Sequence, residues 1–215
     1  MCPSTVKEAS MKIFGLPGSP CTRKVMTTLA EKGQEAEIVL VDVSKGEQKA
    51  PAHLARQPFG RIPTLEDNGF SLYESQAIMR YLDEKLPGTS LQPKALEERA
   101  RMNQFMSIEQ SYLVAPAVGI VKQLLLGKMA GREPDMAIVE AAKVEVAKAL
   151  DVADQALAGE KYLAGSSFSL ADIDWMPYVH YIVQSGVGAL ITDRPNVAAW
   201  WQRVSGRPSW QKVVG

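Results

Sequence analysis

The stretch Gly15-Leu-Pro-Gly-Ser-Pro-Cys-Thr-Arg-Lys-Val25 concentrates the residues most able to do chemistry. The apolar run Met11 to Phe14 predicts a strand, and a helical pattern opens at Ser19 or Pro20. A hydroxyl at a helix mouth stands among backbone N–H groups without intrahelical partners, at the positive end of the helix dipole. That setting favours an anion, and a thiolate is one candidate. Taken alone, Ser19 is more simply read as a helix cap.

Two further stretches share this character. Ser19-Pro20-Cys21-Thr22 itself is similar to a redox Cys-Pro-x-Cys site with hydroxyls at both sulfur positions. In Phe59-Gly-Arg-Ile-Pro-Thr64 a proline opens a strand after a loop. A cis bond before Pro63 would turn the Ile62 backbone groups toward an extended ligand, but statistics favour an ordinary trans bond. In Tyr73-Glu-Ser-Gln-Ala-Ile78 an acid and a hydroxyl precede a helix and could receive both charges of an amino-acid head. The plainer reading makes Ser75 the N-cap.

The elements that must hold these residues follow from periodicity and punctuation. Helix Pro20 to Lys32 stops at Gly33, and Ala36 to Val41 reads as a second strand. Strand–helix–strand order implies a parallel pair. Thr64 to Tyr73 is a hairpin turning at Asn68-Gly69, and a helix follows from Ser75 to about Lys85. After the linker composition of Pro87-Gly-Thr-Ser-Leu-Gln-Pro93 strand signals cease. Helical patterns run over Glu97–Met129 (interrupted at Pro116), Asp135–Ala158, Ser169–Gln184 and Asn196–Arg207. The expected fold is an α/β thioredoxin-like domain, 11–87, then an all-α domain, 95–215, with a leader 1–10 and a linker 88–94.

Bulk properties narrow the class. The 215 residues carry 24 basic and 24 acidic side chains, so no global field points to nucleic acid or acidic lipid. No apolar run approaches the ~20 residues of a membrane span, and the opening residues lack a secretory apolar core. A cytoplasmic location is expected. Cys2 and Cys21 make no disulfide framework. His53 and His180 stand too far apart to suggest a metal site, and no metal is expected.

In order and frame, the chain resembles the glutathione transferase family over nearly all its length. The resemblance rests on Gly18-Ser-Pro-Cys-Thr-Arg-Lys-Val25, Gly46-Glu-Gln-Lys49, Pro58-Phe-Gly-Arg-Ile-Pro63, Glu74-Ser-Gln-Ala-Ile78, Phe168-Ser-Leu-Ala-Asp172 and Arg194-Pro-Asn-Val-Ala-Ala-Trp200. It is most similar to the phi class, with some zeta character in Ser-Pro-Cys-Thr. The resemblance implies the glutathione transferase fold. It makes Ser19 the thiol-activating hydroxyl, Lys49 the partner of the glycine carboxylate and Ile62 the backbone partner of the cysteinyl residue. Glu74 and Ser75 would hold the γ-glutamyl head. Two positions depart from phi usage: Gln48 stands where His is usual, and Arg61 where Gln is usual. Gln48 can still donate a hydrogen bond, and Arg61 either pairs with a ligand carboxylate or turns to solvent. The resemblance also implies glutathione as co-substrate without further cofactor, a small apolar electrophile, a detoxifying role and a homodimer.

The energetics are attainable. A thiol of pKa ~8.5 is about 3% ionised at neutral pH, and lowering it by ~2 units needs about 2.7 kcal/mol. One charge-assisted hydrogen bond at ~1.5–3 kcal/mol and a helix dipole at ~0.3–1 kcal/mol cover that. Cys21 is the redox candidate, though a small packed side chain is the simpler reading. Leu16, Pro17 and Tyr112 are candidates for the electrophile pocket. Met102, Phe105, Met106, Tyr178 and Tyr181 fit packing better, as do Trp200, Trp201 and Trp210. Ser169 to Asp172 reads as a capping box with Phe168 as its staple. Two alternative readings are a glutathione-dependent peroxidase or thiol transferase, and a non-catalytic ligand-binding member of the fold.

Overall fold

Ile13 is flanked by Ile38 on one side and Leu65 on the other, and Leu65 in turn faces Leu72. This apolar row sets the register of a four-stranded sheet. The computed structural model describes residues 11–215, so Cys2 and the expected leader lie outside the described residues. Strand β1 (Met11–Gly15) leads to α1 (Pro20–Glu31) and β2 (Glu37–Leu40). Two 3₁₀ turns, Val43–Lys45 and Glu47–Lys49, precede the short α2 (Pro51–Leu54). Strands β3 (Thr64–Asp67) and β4 (Phe70–Tyr73) and helix α3 (Ser75–Lys85) complete the first of two compact units, which divide after Pro87. The strand order is β2-β1-β3-β4, with β1 and β2 parallel and the other pairs antiparallel. Asn68 and Gly69 turn the hairpin with φ of 51° and 86°, the positive values such a turn demands.

Val25 and Leu29 of α1 and Ile78 and Leu82 of α3 pack with Ile13 and Leu65 in one buried cluster. Beside it Lys32 and Asp83 form a buried ion pair at 3.0 Å, and the same ammonium donates to the Asp83 carbonyl at 3.1 Å. A charge buried this deeply is tolerated because it is both paired and hydrogen-bonded, and the pair staples α1 to α3.

The second unit is helical: α4 (Leu96–Ile108), α5 (Val114–Ile120), α6 (Met136–Ala156), α7 (Leu170–Ile182), α8 (Ala189–Thr192), α9 (Pro195–Ser205) and α10 (Pro208–Val214). Pro116 does not interrupt the helical run as expected. The π-helical segment Glu109–Leu113 lies directly upstream, so the regular i→i−4 pattern that a proline would break has already given way there. The irregularities are π-helical segments at Glu109–Leu113, Val121–Gly127 and Val183–Val187. The segment 88–94, expected as a linker, is docked at Leu91, which is buried and accepts the Leu170 N–H at 3.0 Å.

Every residue of α7 from Leu170 to Val179 is buried. The capping box forms: Ser169 donates to Asp172 Oδ2 through N–H at 2.8 Å and Oγ at 3.0 Å. Asp172 Oδ1 also accepts from Leu163 N–H at 3.0 Å and Trp200 Nε1 at 2.8 Å. Phe168 packs edge-on to Tyr162 and beneath the Arg207 guanidinium, 3.9 Å from its ring centre. Asp154 of α6 accepts the Asn196 and Val197 N–H groups, each at 2.9 Å, capping α9 from a neighbouring helix. Trp200 and Trp210 are buried, and the Trp201 and Trp210 rings pack against that of His180.

Candidate functional site

One end of the sheet gathers the candidates. Phe14, Thr64 and Tyr73 form a single cross-strand row. The loop bearing Ser19 leaves just beyond Phe14, Ile62 and Pro63 arrive just before Thr64, and Glu74 follows Tyr73. Three segments far apart in sequence therefore emerge side by side, at the ~4.8 Å spacing of adjacent strands.

Ser19 occupies the N-cap position of α1, yet its side chain makes no capping hydrogen bond. The sequence preference for capping is thus not realised, and the hydroxyl is left at the helix mouth. Pro20 follows and has no N–H, and the first helical bond runs from Arg23 N–H to Ser19 O at 2.9 Å. The loop before Ser19 is tied at both ends, by Ser19 N–H to Leu16 O at 2.8 Å and by Arg23 Nε to Pro17 O at 3.2 Å. Leu16 is exposed and Pro17 half-buried in this loop, and Cys21 is a half-buried residue of the first helical turn.

A second cluster forms around Lys49. Its ammonium donates to Phe59 O at 2.9 Å, using one of three donors. The stem lies across Gly60, where a Cβ would come within 2.6 Å of Lys49 Cδ and Nζ and 2.8 Å of Gln48 O. Gly60 also has φ of 60°, so glycine is required there twice over. Asp42 organises the approach to Lys49: its Oδ1 accepts from Ser44 N–H at 3.0 Å and Ser44 Oγ at 2.6 Å. Hydrogen bonds from Ser44 and Lys45 hold the Asp42 carboxyl at about 2, against an ordinary 3.8. Gln48 carries a buried Oε1 that finds no donor among the described residues.

Arg61 lies between this cluster and Ile62. Its carbonyl accepts His53 Nε2–H at 2.7 Å, and its N–H donates to Gln57 Oε1 at 3.0 Å. Because a carbonyl only accepts, the His53 tautomer is set by this bond. Both backbone groups of Arg61 are thus satisfied by buried side chains, while its guanidinium is exposed. The Ile62–Pro63 bond is cis, against the trans expectation. His53, given no role by the sequence beyond standing too far from His180 to suggest a metal site, is a clamp on the Arg61 carbonyl. Gln57, the other half of the clamp, lies four residues on, and the burial that marks the two side chains is not visible in the sequence.

Glu74, not Ser75, holds the N-cap position of α3, and Ser75 is the first helical residue. Glu74 adopts φ of 70° and ψ of 111°, a costly conformation for a residue with a side chain. Its carboxylate does not cap the helix and is exposed.

Tyr112 belongs to the second unit, where it is 65% exposed on a π-helical segment. Met102, Phe105, Met106 and Tyr178 are buried, in keeping with packing, and Trp175 Nε1 donates to Phe105 O at 2.9 Å. Among the described residues no cluster of His, Cys, Asp or Glu is arranged to hold a metal, and no helix is long and apolar enough to cross a membrane.

Two family models match the chain: the glutathione S-transferase N-terminal domain over residues 9–84 and the C-terminal domain over residues 114–208. Glutathione S-transferase F11 of Arabidopsis thaliana is 39% identical over 207 residues, covering 95% of this chain and 97% of the relative. Among solved structures, glutathione transferase F7 of Populus trichocarpa superposes with a TM-score of 0.88 at 37% identity, covering 94% of this chain and 97% of that one. Glutathione S-transferase I of maize, solved with an atrazine glutathione conjugate, gives 0.87 at 34% identity over 95% and 96%. The fold, the motif order and these relatives agree, and the chain belongs to the glutathione S-transferase family, in its phi class.

Proposed function

We propose that this glutathione transferase ionises the thiol of glutathione through the Ser19 hydroxyl, and that the thiolate then attacks an electrophilic carbon. The observation that carries the reading is Ser19 at the mouth of α1 with its side chain not engaged in capping. A donor held there can stabilise charge that appears on sulfur, aided by the helix dipole. The remaining assignments are those the family resemblance implies, and the surrounding geometry is compatible with them. Lys49 has donors in reserve for the glycine carboxylate, Gln48 Oε1 can accept an N–H of the peptide, and the Ile62 backbone can pair with the cysteinyl residue. Glu74 and Ser75 would take the γ-glutamyl head, and the exposed Arg61 guanidinium would pair with a ligand carboxylate. Leu16 and Pro17 would line the approach of the electrophile.

In this chemistry glutathione is the co-substrate and no cofactor is called for, since the hydrogen bond and dipole cover the required stabilisation. The maize relative solved with an atrazine glutathione conjugate makes apolar aryl electrophiles the substrate class to test first. Family membership supports a cytoplasmic homodimer, checked by sedimentation of the purified protein.

The deciding experiment is a pH titration of bound glutathione followed by thiolate ultraviolet absorbance. The expected result is a pKa well below ~8.5 in the wild type, returning toward the free value in Ser19→Ala. An unshifted pKa in the wild type would instead indicate a ligand-binding member of the fold. Full conjugating activity in Cys21→Ser is expected; its loss would move the chemistry to that thiol.

A further inference from the structure

We propose that Gly15 and Thr22 form a steric spacer that sets the position of the first turn of α1, and with it the Ser19 hydroxyl. The inference rests on the thiol-activating role of Ser19 proposed above.

Gly15 is the buried last residue of β1. A Cβ there would lie 2.7 Å from Oγ1 and 3.1 Å from Cγ2 of Thr22, and 3.5 Å from Cβ of Pro63. Thr22 is fully buried, and its hydroxyl has no hydrogen-bond partner among the described residues. The contact is therefore one of volume rather than of hydrogen bonding. Rotation of Thr22 about Cα–Cβ cannot clear the space. Both of its branches face Gly15, and with two branches in three staggered positions at least one always remains there.

A methyl group at position 15 must then displace backbone. The strand is the less able to yield. Phe14 is paired with Val39 and Thr64, and Gly15 O accepts the Val41 N–H at 3.1 Å. The start of α1 and the loop before it are joined by bonds from Ser19 and Arg23, so they shift together. Ser19 lies three residues before Thr22, on the same side of the helix, and moves with it. Pro63 meets the added methyl only at ordinary van der Waals distance, so the Ile62 backbone is disturbed much less. The spacer accordingly governs the thiol end of the site more than its peptide-binding end.

The test compares Gly15→Ala, the double variant Gly15→Ala/Thr22→Ala and Ser19→Ala. Thiolate titration of bound glutathione is read together with kcat and KM for an activated aryl halide. A misplacement of ~1 Å can cost up to ~100-fold in rate, so Gly15→Ala should lose roughly tenfold or more in kcat at neutral pH. KM for glutathione should change little. The bound thiol should titrate roughly one unit higher, and the rate deficit should shrink at alkaline pH, which general structural damage would not produce. Removing both Thr22 branches in the double variant should restore the thiol pKa. An unshifted pKa in Gly15→Ala, or a shift that the double variant leaves in place, overturns the spacer. If Gly15→Ala fails to fold, a folded double variant with a wild-type thiol pKa supports the proposal, and failure of both to fold overturns it. Ser19→Ala separates the two readings. If it leaves the bound pKa unchanged, the role of Ser19 itself falls; if it raises the pKa while Gly15→Ala does not, only the spacer falls.

Discussion

Glu74 illustrates how the site is maintained against local stability. Its φ of 70° places a residue with a side chain where glycine would be at ease. Such strain costs roughly 1–3 kcal/mol and persists when the surrounding structure enforces it. Here β4 ends at Tyr73 and α3 begins at Ser75, so one residue must make the whole turn. Glu74→Gly should therefore raise the melting temperature and weaken glutathione binding, measured by thermal unfolding and by calorimetric titration. A parallel fall in both would show that the carboxylate stabilises the fold instead. The residue types at this scale were largely legible: Ser19, Lys49, Glu74 and Ser75 stand out by type and by place at element boundaries. What could not be read was conformation. Neither the unused capping capacity of Ser19, nor the shift of the N-cap from Ser75 to Glu74, nor the cis bond before Pro63 is encoded in a local preference; each lies where one element hands over to the next, Ser19 between β1 and α1, Glu74 between β4 and α3, and Pro63 between α2 and β3.

At the scale of elements, the segment from Asp42 to Ile62 is held by short backbone turns and, at Asp42, Lys49, His53 and Gln57, by side chains that bond backbone groups. Two predictions belong to it. The first concerns the clamp on Arg61. His53→Phe keeps the bulk but removes the donor to the Arg61 carbonyl, leaving a buried acceptor unsatisfied at a cost of about 1–3 kcal/mol. The affinity for glutathione should drop several-fold, while the pKa of the bound thiol, proposed above to depend on Ser19, stays put. Binding and thiolate titrations check the two halves separately, and a raised thiol pKa would show that the clamp reaches further than its bonds suggest. The second concerns acid. Hydrogen bonds from Ser44 and Lys45 hold Asp42 at about 2. A carboxylate with a depressed folded pKa contributes its stabilisation above the ordinary value of 3.8 and loses it as pH falls toward about 2. A carboxyl-detected NMR titration should place its midpoint near the lower figure; a midpoint near the ordinary one would mean that the turn before Lys49 is not held by Asp42. The strand and helix order was readable because hydrophobic periodicity is a local signal. This clamp was not, because His53 and Gln57 reach their partner only after the chain has turned back on itself.

Over the whole molecule, the residues assigned to glutathione all lie in the first unit, and the Asp172 network lies within the second. Stability of the helical unit should thus be separable from ligand affinity. Asp172 is the place to test this. It is fully buried and gathers four donors, from Leu163, from Ser169 twice and from Trp200. Burial raises its pKa above 3.8, and the four hydrogen bonds pull the other way without prevailing. The folded chain then binds a proton at Asp172 more tightly than the unfolded chain does. Its contribution to stability is full below 3.8 and is lost as pH rises through the raised folded value. Asp172→Asn should be less stable throughout, since an amide nitrogen would face donors, and should lack that pH-dependent decline. Asp172→Ala should lower the melting temperature by several degrees, consistent with a loss of about 1–3 kcal/mol from orphaned buried donors. Glutathione affinity should hold in both variants at temperatures where they remain folded. Loss of affinity without loss of stability would mean that the helical unit takes a direct part in holding the peptide, and the division of labour drawn from the sequence would have to be redrawn.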